Sequence, residues 1–309
     1  MSKILCIGQS VLDITVPLDG PIEQNVKYHI LNKFCCGGGP AFNSACLCGK
    51  WNAPTGFLTQ IGKDENGKYL KKVLEEGNVL PDYIIENADM QTPYSYIFTN
   101  SQTGDRTLFN FPAKTENTDF DFPDDDVSVI LSDGHEPELS LQAIRKYSDA
   151  VSIVDAGGYR ESTMAVARAS DYLVCSEYFA SQHTGRKIHP DDWGTCLEVF
   201  SEIEKINGRH VVITLGDKGL LYKDGKEVRH LPAFPVKVVD TTGAGDIFHG
   251  AFAYGIFMDM PYLDILKLSS MASAAACETL GGNTSIPELD TVKKRLKKSE
   301  LHQPELCSG

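Results

Sequence analysis

The chain has 309 residues, enough for one large domain with a small appendage or for two domains of ordinary size. Its 29 Lys and Arg against 42 Asp and Glu give a formal net charge of −13, and no basic block is present that would follow a nucleic-acid backbone. These features exclude nucleic acid as an expected partner. The short apolar runs exclude a membrane span, and the odd number of nine cysteines without a signal-peptide pattern predicts a cytoplasmic protein.

Short β-rich runs alternate with longer helical patterns along the chain. The predicted strands are 3–8, 55–61, 127–132, 151–155, 172–175 and 211–215. The predicted helices are 40–50, 65–76, 137–147, 193–206, 244–258 and 262–280. This order predicts an α/β fold with a mostly parallel sheet that helices cover on both faces, and ligands gather at the carboxyl ends of such strands.

Two segments, 13–34 and 92–111, interrupt this order with extended chain and turn signals. We predict that they form one small β-sheet inserted in the domain. Because both lie between elements of the larger sheet, they can meet over its edge as a lid that keeps water from a transferable phosphate. A pair of surface hairpins is the alternative.

The most informative motif is Asp240-Thr241-Thr242-Gly243-Ala244-Gly245-Asp246, which precedes an apolar helical run. Gly243 and Gly245 allow close approach of a ligand, and the free amides of a helix start attract an anion. Asp246 falls in the first turn, where its carboxylate could accept the proton of an attacking hydroxyl group. With an ordinary pKa of about 3.9 it would be ionised at neutral pH. An Asp that merely complements the helix dipole is the alternative.

A second glycine-rich segment, Gly37-Gly38-Gly39-Pro40, opens the predicted helix that contains Asn43. Asn43 can donate and accept hydrogen bonds, and Asp13 can accept two from adjacent hydroxyls, which suits a sugar. Ordinary capping or turn roles are the alternatives for both residues. Arg106, on the predicted lid, could clamp the acceptor or form only a surface ion pair. Asp133 and His135 follow a strand and could reach the acceptor.

These two motifs, together with Thr214-Leu215-Gly216-Asp217 after a strand, closely resemble the ribokinase-like (PfkB) family of carbohydrate kinases. The resemblance spans nearly the whole chain. It implies a Rossmann-like three-layer parallel sheet with a β-lid, ATP as phosphoryl donor, Mg²⁺, and transfer to a primary hydroxyl of a sugar or nucleoside.

The resemblance also implies roles for single residues. Asp246 matches the catalytic base, and Gly243, Ala244 and Gly245 match the anion-hole amides. Acceptor-binding positions correspond to Asp13, Gly38, Gly39 and Asn43. The nucleotide-phosphate loop corresponds to Thr214 and Gly216, and Gly243 and Gly245 also belong to the ATP site. The carbonyls of Asp240 and Thr242 match positions that hold a monovalent cation, such as K⁺, in some members.

The chain departs from the family pattern at the positions expected to lie near the metal ion. Where the family usually has Asn-x-x-Glu after a strand, this chain has Ser176 and Phe179, so the metal shell is incomplete there. Mg²⁺ leans mainly on substrate phosphates and can survive the loss of one carboxylate. Glu177 could substitute for it, or it could be a solvated first-turn residue.

The predicted function is ATP-dependent phosphorylation of a hydroxymethyl group on a small sugar. A nucleoside kinase of the same fold is the alternative, because Tyr94, Tyr96, Phe98 and Phe109 could stack a base on the lid. A non-catalytic sugar or nucleotide sensor is a third interpretation. A dinucleotide-dependent oxidoreductase is disfavoured, because Gly8 lacks the following glycines of that motif. Unpaired lid strands favour a homodimer.

Overall fold

The computed structural model describes residues 2–103, 105–113, 119–189, 191–299 and 303–307. The strands, numbered in chain order, are β1 (Lys3–Ile7), β2 (Val11–Leu18), β3 (Phe34–Gly38), β4 (Thr55–Gly62), β5 (Val79–Leu80), β6 (Ile84–Asn87), β7 (Tyr94–Asn100), β8 (Arg106–Phe111), β9 (Val127–Ser132), β10 (Val151–Ala156), β11 (Tyr172–Ser176), β12 (His210–Thr214), β13 (Leu220–Asp224), β14 (Glu227–Leu231) and β15 (Glu305–Leu306). The helices are α1 (Pro40–Lys50), α2 (Glu65–Glu76), α3 (Pro137–Lys146), α4 (Glu161–Ala169), α5 (Glu177–Thr184), α6 (Trp193–Asn207), α7 (Ala244–Phe257), α8 (Tyr262–Ala276) and α9 (Leu289–Lys298).

The large sheet has the strand order β15-β14-β13-β12-β11-β10-β9-β1-β4-β5, with β6 also paired to β4. Neighbours from β12 to β5 run parallel, whereas β13, β14 and β15 pair antiparallel at the other edge. The predicted α/β fold with a mostly parallel sheet is therefore confirmed.

Helices cover both faces of this sheet because successive strand residues point to opposite sides. Along β1, Cys6 packs into a core with α1, α7 and α8, whereas Leu5 and Ile7 pack into a separate core with α3. A third core lies between the strands β10 to β12 and the helices α4 to α6. The sheet is thus the middle layer of three. Among the described residues, no helix combines the length and apolarity that a bilayer span would require.

A second sheet contains four strands in the order β3-β2-β7-β8, so the two interrupting segments do form one small sheet. Residues 19–33 contribute no strand to it, and Gly37 and Gly38 lie inside β3 rather than in a loop. The second segment, 92–111, includes a turn signal at Gly104, and this residue lies outside the described residues. Whether this sheet acts as a lid stays a prediction.

Several elements differ from the sequence-based expectations. The last long helix, α8, ends at Ala276 instead of 280, because the carbonyl of Cys277 accepts hydrogen bonds from the amides of Val239 and Asp240. The turn elements and short strands around β5, β6, β13 and β14 were not predicted, nor were the helices α4, α5 and α9. These segments are short or lack a strong apolar period.

Candidate active site

The start of α1 meets the second sheet through two glycines that accept no side chain. A Cβ atom on Gly38 would lie 2.2 Å from the Asp13 carboxylate, and one on Gly39 would lie 2.3 Å from the Gln9 carbonyl. Gly39 also has a φ of 113°, which L-residues rarely adopt. The glycines therefore bring the backbone of α1 directly against Asp13.

Asp13 lies in the second sheet, on strand β2. Burial raises the pKa of Asp13 to about 6, although a hydrogen bond from Ser95 opposes this rise. The strand register places Cys36, Ser95 and Asn110 beside it in one row across the four strands. The row offers polar side chains to a hydroxylated ligand.

The predicted base occupies the first turn of α7. The helix begins at Ala244 after Gly243, whose φ of 77° allows the chain to turn into the helix. Asn43 Nδ2, from α1, donates a 2.6 Å hydrogen bond to Asp246 Oδ2. Asn43 therefore does not cap its own helix. Its Oδ1 atom is buried and has no hydrogen-bond partner among the described residues.

Three consecutive carbonyls at the start of α7 each accept a hydrogen bond from a side chain. Ser273 Oγ donates to Ala244 O at 2.8 Å, His249 Nδ1 lies 2.7 Å from Gly245 O, and Ser44 Oγ donates to Asp246 O at 2.9 Å. The backbone of this turn is therefore held from α8, α7 and α1 at once. Such support keeps a catalytic group in a fixed geometry.

The backbone amides at the start of α7 differ in whether they are already hydrogen-bonded. The Ala244 amide donates to the Thr241 carbonyl at 3.2 Å, so it is already engaged. At Gly245 an added Cβ would meet no atom within 4 Å, which leaves open space in front of the turn. An anion in that space would face the helix N-terminus.

Asp246 is not an ordinary carboxylate. Burial raises the pKa of Asp246 to about 6, and the charge of Asp155 adds to the rise. The hydrogen bond from Asn43 and the nearby His249 act in the opposite direction. The expected pKa of about 3.9 was therefore wrong, since sequence does not reveal how deeply a first-turn Asp is buried.

Arg106 links the second sheet to the glycine motif. Its guanidinium donates to Thr242 Oγ and lies 3.7 Å from an Asp240 oxygen. Burial acts to raise the pKa of Asp240, but hydrogen bonds from Thr242 and the charge of Arg106 outweigh it and leave that pKa lowered. The side chain is thus turned toward the motif loop, where it forms an ion pair.

The loop before α7 is hydrogen-bonded to the glycines that follow α8. Asp240 accepts hydrogen bonds from the amides of Thr242 at 2.9 Å and Gly281 at 3.1 Å. The Thr242 carbonyl, predicted as a monovalent-cation ligand, accepts the Gly282 amide at 3.2 Å. One lone pair of that carbonyl therefore remains for a cation.

The predicted nucleotide loop follows β12. Thr214 is the last strand residue, and its hydroxyl donates to Cys175 O at 3.3 Å. Gly216 starts the next turn with a φ of 62°, and a Cβ there would meet no atom within 4 Å. Thr214 and Gly216 therefore lie at the carboxyl end of a parallel strand, as do Ser176 and Asp155 on neighbouring strands.

The residues at the family's metal-shell positions make contacts of other kinds. Ser176 caps α5 by accepting a hydrogen bond from the Phe179 amide, and the Phe179 side chain is fully buried. Glu177 lies 3.6 Å from Lys218 Nζ. Among the described residues, no group of three acidic, His or Cys side chains could hold a metal ion.

The aromatic residues of β7 and β8 in the second sheet lie on the face opposite Asp13. Tyr94 and Tyr96 pair with Leu12 and Ile14, and they alternate with Ser95, which shares the face of Asp13. Phe98 and Phe109 follow the same alternation. These four rings therefore lie on the face opposite Asp13, and their stacking on a base stays a prediction.

Sequence reasoning gave little weight to the buried carboxylates Asp133, Glu136 and Asp155. Asp133 is buried, and its Oδ2 accepts hydrogen bonds from the amides of Gln9 and Ala41, both at 3.3 Å. Glu136 accepts a 2.9 Å hydrogen bond from Gln60, and burial raises its pKa to about 7. Asp155 and His249 form a buried pair that the sequence did not suggest. A polar residue in an apolar strand or helix was the only available signal.

Comparison with known proteins identifies a family that matches most of the chain. The model of the family described as "pfkB family carbohydrate kinase" matches residues 1–289. A ribokinase from Lactococcus lactis is 30% identical over 168 residues, which cover 54% of this chain and about half (52%) of that relative. A nucleoside kinase from Methanocaldococcus jannaschii is 23% identical over 313 residues, covering 97% of this chain and 99% of the relative.

The fold also matches solved structures. Arabidopsis thaliana ribokinase, solved in complex with ribose and ATP, superposes with a TM-score of 0.84 at 22% identity, covering 96% of this chain and 98% of that one. At this identity the likeness concerns the fold, which is ribokinase-like.

Proposed function

The chain belongs to the pfkB family of carbohydrate kinases, which are ATP-dependent sugar kinases, and on that premise we propose that it transfers the γ-phosphoryl group of ATP to a hydroxymethyl group of a small sugar or sugar-like acceptor. The observation that carries this proposal is the hydrogen bond of 2.6 Å between Asn43 and Asp246, which joins the acceptor segment to the glycine motif. Acceptor and phosphate would then meet at one point.

In this proposal the acceptor lies against Gly38 and Gly39 and is held by Asp13 and Asn43. Asp13 accepts from ring hydroxyls when it is ionised, and the free Oδ1 of Asn43 accepts from another hydroxyl. The absence of Cβ atoms at the two glycines lets the sugar approach the backbone. These contacts orient the hydroxymethyl group toward Asp246.

Asp246 takes the proton of the attacking hydroxyl as the new P–O bond forms and the bond from the γ-phosphorus to the ADP oxygen breaks. The proton passes to the carboxylate, and ADP leaves with the electron pair of the broken bond. The amides of Gly243 and Gly245, with the dipole of α7, stabilise the developing negative charge. The Ala244 amide contributes if it releases Thr241.

The nucleotide is proposed to lie along the turn after β12, with its phosphates near Thr214 and Gly216 and its γ-phosphate in front of Gly245. Mg²⁺ would supply charge neutralisation on the phosphates, and the chain would hold it through the nucleotide. A monovalent cation such as K⁺ is proposed near the carbonyls of Asp240 and Thr242. Arg106 is proposed to contact the acceptor or the transferred phosphate from the second sheet, which would act as a lid.

We also propose a homodimer through the second sheet. The edge strand β8 is exposed, and Leu108, Phe109 and Phe111 in it are exposed apolar side chains. Exposed edges and apolar patches favour association with a second copy. Sedimentation of the purified chain at several concentrations tests this proposal.

The decisive experiment measures ADP release with a panel of acceptors: a ketohexose, a pentose, a sugar acid and a nucleoside. We expect one of the sugars to give the highest kcat/KM. The highest value for the nucleoside would replace the sugar kinase by a nucleoside kinase. Nucleotide binding without ADP release from any acceptor would favour the sensor.

A further inference from the structure

A buried histidine and aspartate lie directly behind the turn that carries Asp246. His249 is 3% exposed and Asp155 is 5% exposed. His249 Nδ1 lies 2.7 Å from Gly245 O and 3.1 Å from Asp155 Oδ2, and Nε2 lies 3.1 Å from Val174 O. The proposed phosphoryl transfer uses neither side chain.

The neighbours of the ring determine how many protons it carries. Backbone carbonyls only accept hydrogen bonds, so the nitrogen that faces each carbonyl must donate. Gly245 O faces Nδ1 and Val174 O faces Nε2, so both nitrogens need a hydrogen. A ring with both hydrogens is a cation, and a buried cation requires a nearby anion. Asp155 Oδ2 lies 3.1 Å from Nδ1. Burial raises the pKa of Asp155, and the charge of His249 opposes this rise, so the paired ring favours the anion.

The charged neighbours of this pair come from several elements. Asp155 lies on β10, Asp246 lies on α7, and Asp133 and His135 follow β9. The groups that approach the turn from α1 and α8 are the uncharged Ser44 and Ser273. Of the three side chains that donate to these carbonyls, His249 is therefore the one that can carry a charge.

We propose that His249 is a positioning residue whose imidazolium ring, paired with Asp155, holds the Gly245 carbonyl and so fixes the turn that carries Asp246. The ring also offsets the negative charge of Asp155 behind Asp246. The kinetic consequence of this inference rests on the proposed function. The protonation of the ring is independent of that function.

The first test is ¹⁵N NMR of the full chain labelled at histidine, at neutral pH. The signals of His249 are assigned as those missing from the His249→Gln variant. We expect both ring nitrogens to be protonated. A neutral ring with one bare nitrogen would overturn the inference, whether or not the chain proves to be a kinase.

The second test compares the pH dependence of kcat/KM for ADP release in three variants. His249→Gln removes the cation, so the pKa of Asp246 rises. The acidic limb of the kcat/KM pH profile then moves to higher pH by about one unit. Asp155→Asn removes the anion, so the limb moves down by a similar amount. Ser273→Ala, the matched control, removes an uncharged donor to the adjacent carbonyl and leaves the limb in place.

Opposite shifts in the two charge variants separate this role from a purely structural one, which would lower activity without moving the limb. Equal shifts in all three variants, or no shift in either charge variant, would contradict the inference. If His249→Gln does not fold, Asp155→Asn and its control Ser273→Ala decide the kinetic test. An NMR spectrum of histidine-labelled Asp155→Asn then shows whether this variant keeps the histidine signals of the wild type. If the wild-type chain releases no ADP with any acceptor, the proposed function fails, and the NMR result alone decides the protonation of His249.

Discussion

The Asn43 side chain donates a 2.6 Å hydrogen bond to Asp246, although the two residues are 203 positions apart in the chain. The bond connects the first turns of α1 and α7. It holds the Asp246 carboxylate beside Gly245, where an added Cβ would meet no atom within 4 Å.

Replacement of Asp246 by Asn should abolish most turnover while nucleotide binding is retained. Loss of a positioned base typically costs on the order of 10²–10⁴-fold in kcat. The measurement is ADP release together with calorimetric titration of ADP. Asp264→Asn, in the first turn of α8 and exposed, is the control. Wild-type kcat in Asp246→Asn would refute the assignment of the base.

The pH profile of kcat/KM should fall on the acid side near pH 6. Burial raises the pKa of both Asp246 and Asp13 to about 6, and each must be ionised for its proposed role. Asn43→Leu removes a hydrogen bond that favours the ionised form of Asp246, so the limb should move to higher pH. A wild-type limb near pH 4 would show that neither burial effect governs the reaction.

Because Asp246 is buried, its ionisation above pH 6 should lower the free energy of unfolding. A carboxyl whose pKa is raised in the folded state ionises more readily when unfolded, so its contribution to stability is lost as the pH rises through the folded pKa. Asp246→Asn should therefore have an equal or higher Tm than the wild type at pH 7.5, and the difference should shrink toward pH 4. A clearly lower Tm at pH 7.5 would contradict this.

Gly245→Val should reduce phosphoryl transfer without disturbing the fold. Its side chain would enter the open space in front of α7, where the γ-phosphate is proposed to lie. We expect kcat/KM to fall on the order of 10²–10³-fold, the cost of an anion-hole group. Gly20→Val, on another glycine with open space, is the control. Unaltered transfer in Gly245→Val would count against the loop assignment.

Gly250→Ala should destabilise the protein and also impair activity. A Cβ on Gly250 would lie 2.9 Å from Ser44 Cα, so α7 would have to move away from α1. Overpacking of this kind costs about 1–3 kcal/mol in the free energy of unfolding, measured by urea denaturation. Gly194→Ala in α6 has no close contact and should be neutral or stabilising by helix propensity. Equal stabilities of the two variants would argue against close helix packing as the cause.

Several parts of this protein follow from the sequence alone. Alternation of apolar strands and helical patterns predicted the parallel sheet, because strand and helix periods are local properties of the chain. The bounds of α1, at Pro40–Lys50, and of α2, at Glu65–Glu76, match the predicted 40–50 and 65–76. The glycine motif also predicted a helix start with Asp246 in its first turn, since glycine and apolar spacing mark such a start.

Other properties were decided by the tertiary structure, because they depend on contacts between distant segments. Three properties require the packed fold: the raised pKa of Asp246, the placement of Tyr94 and Tyr96 on the face opposite Asp13, and the approach of Arg106 to Asp240. The pairing of His249 with Asp155 joins a helix to a strand. Sequence specifies which groups are available, whereas burial and distance fix their charge and direction.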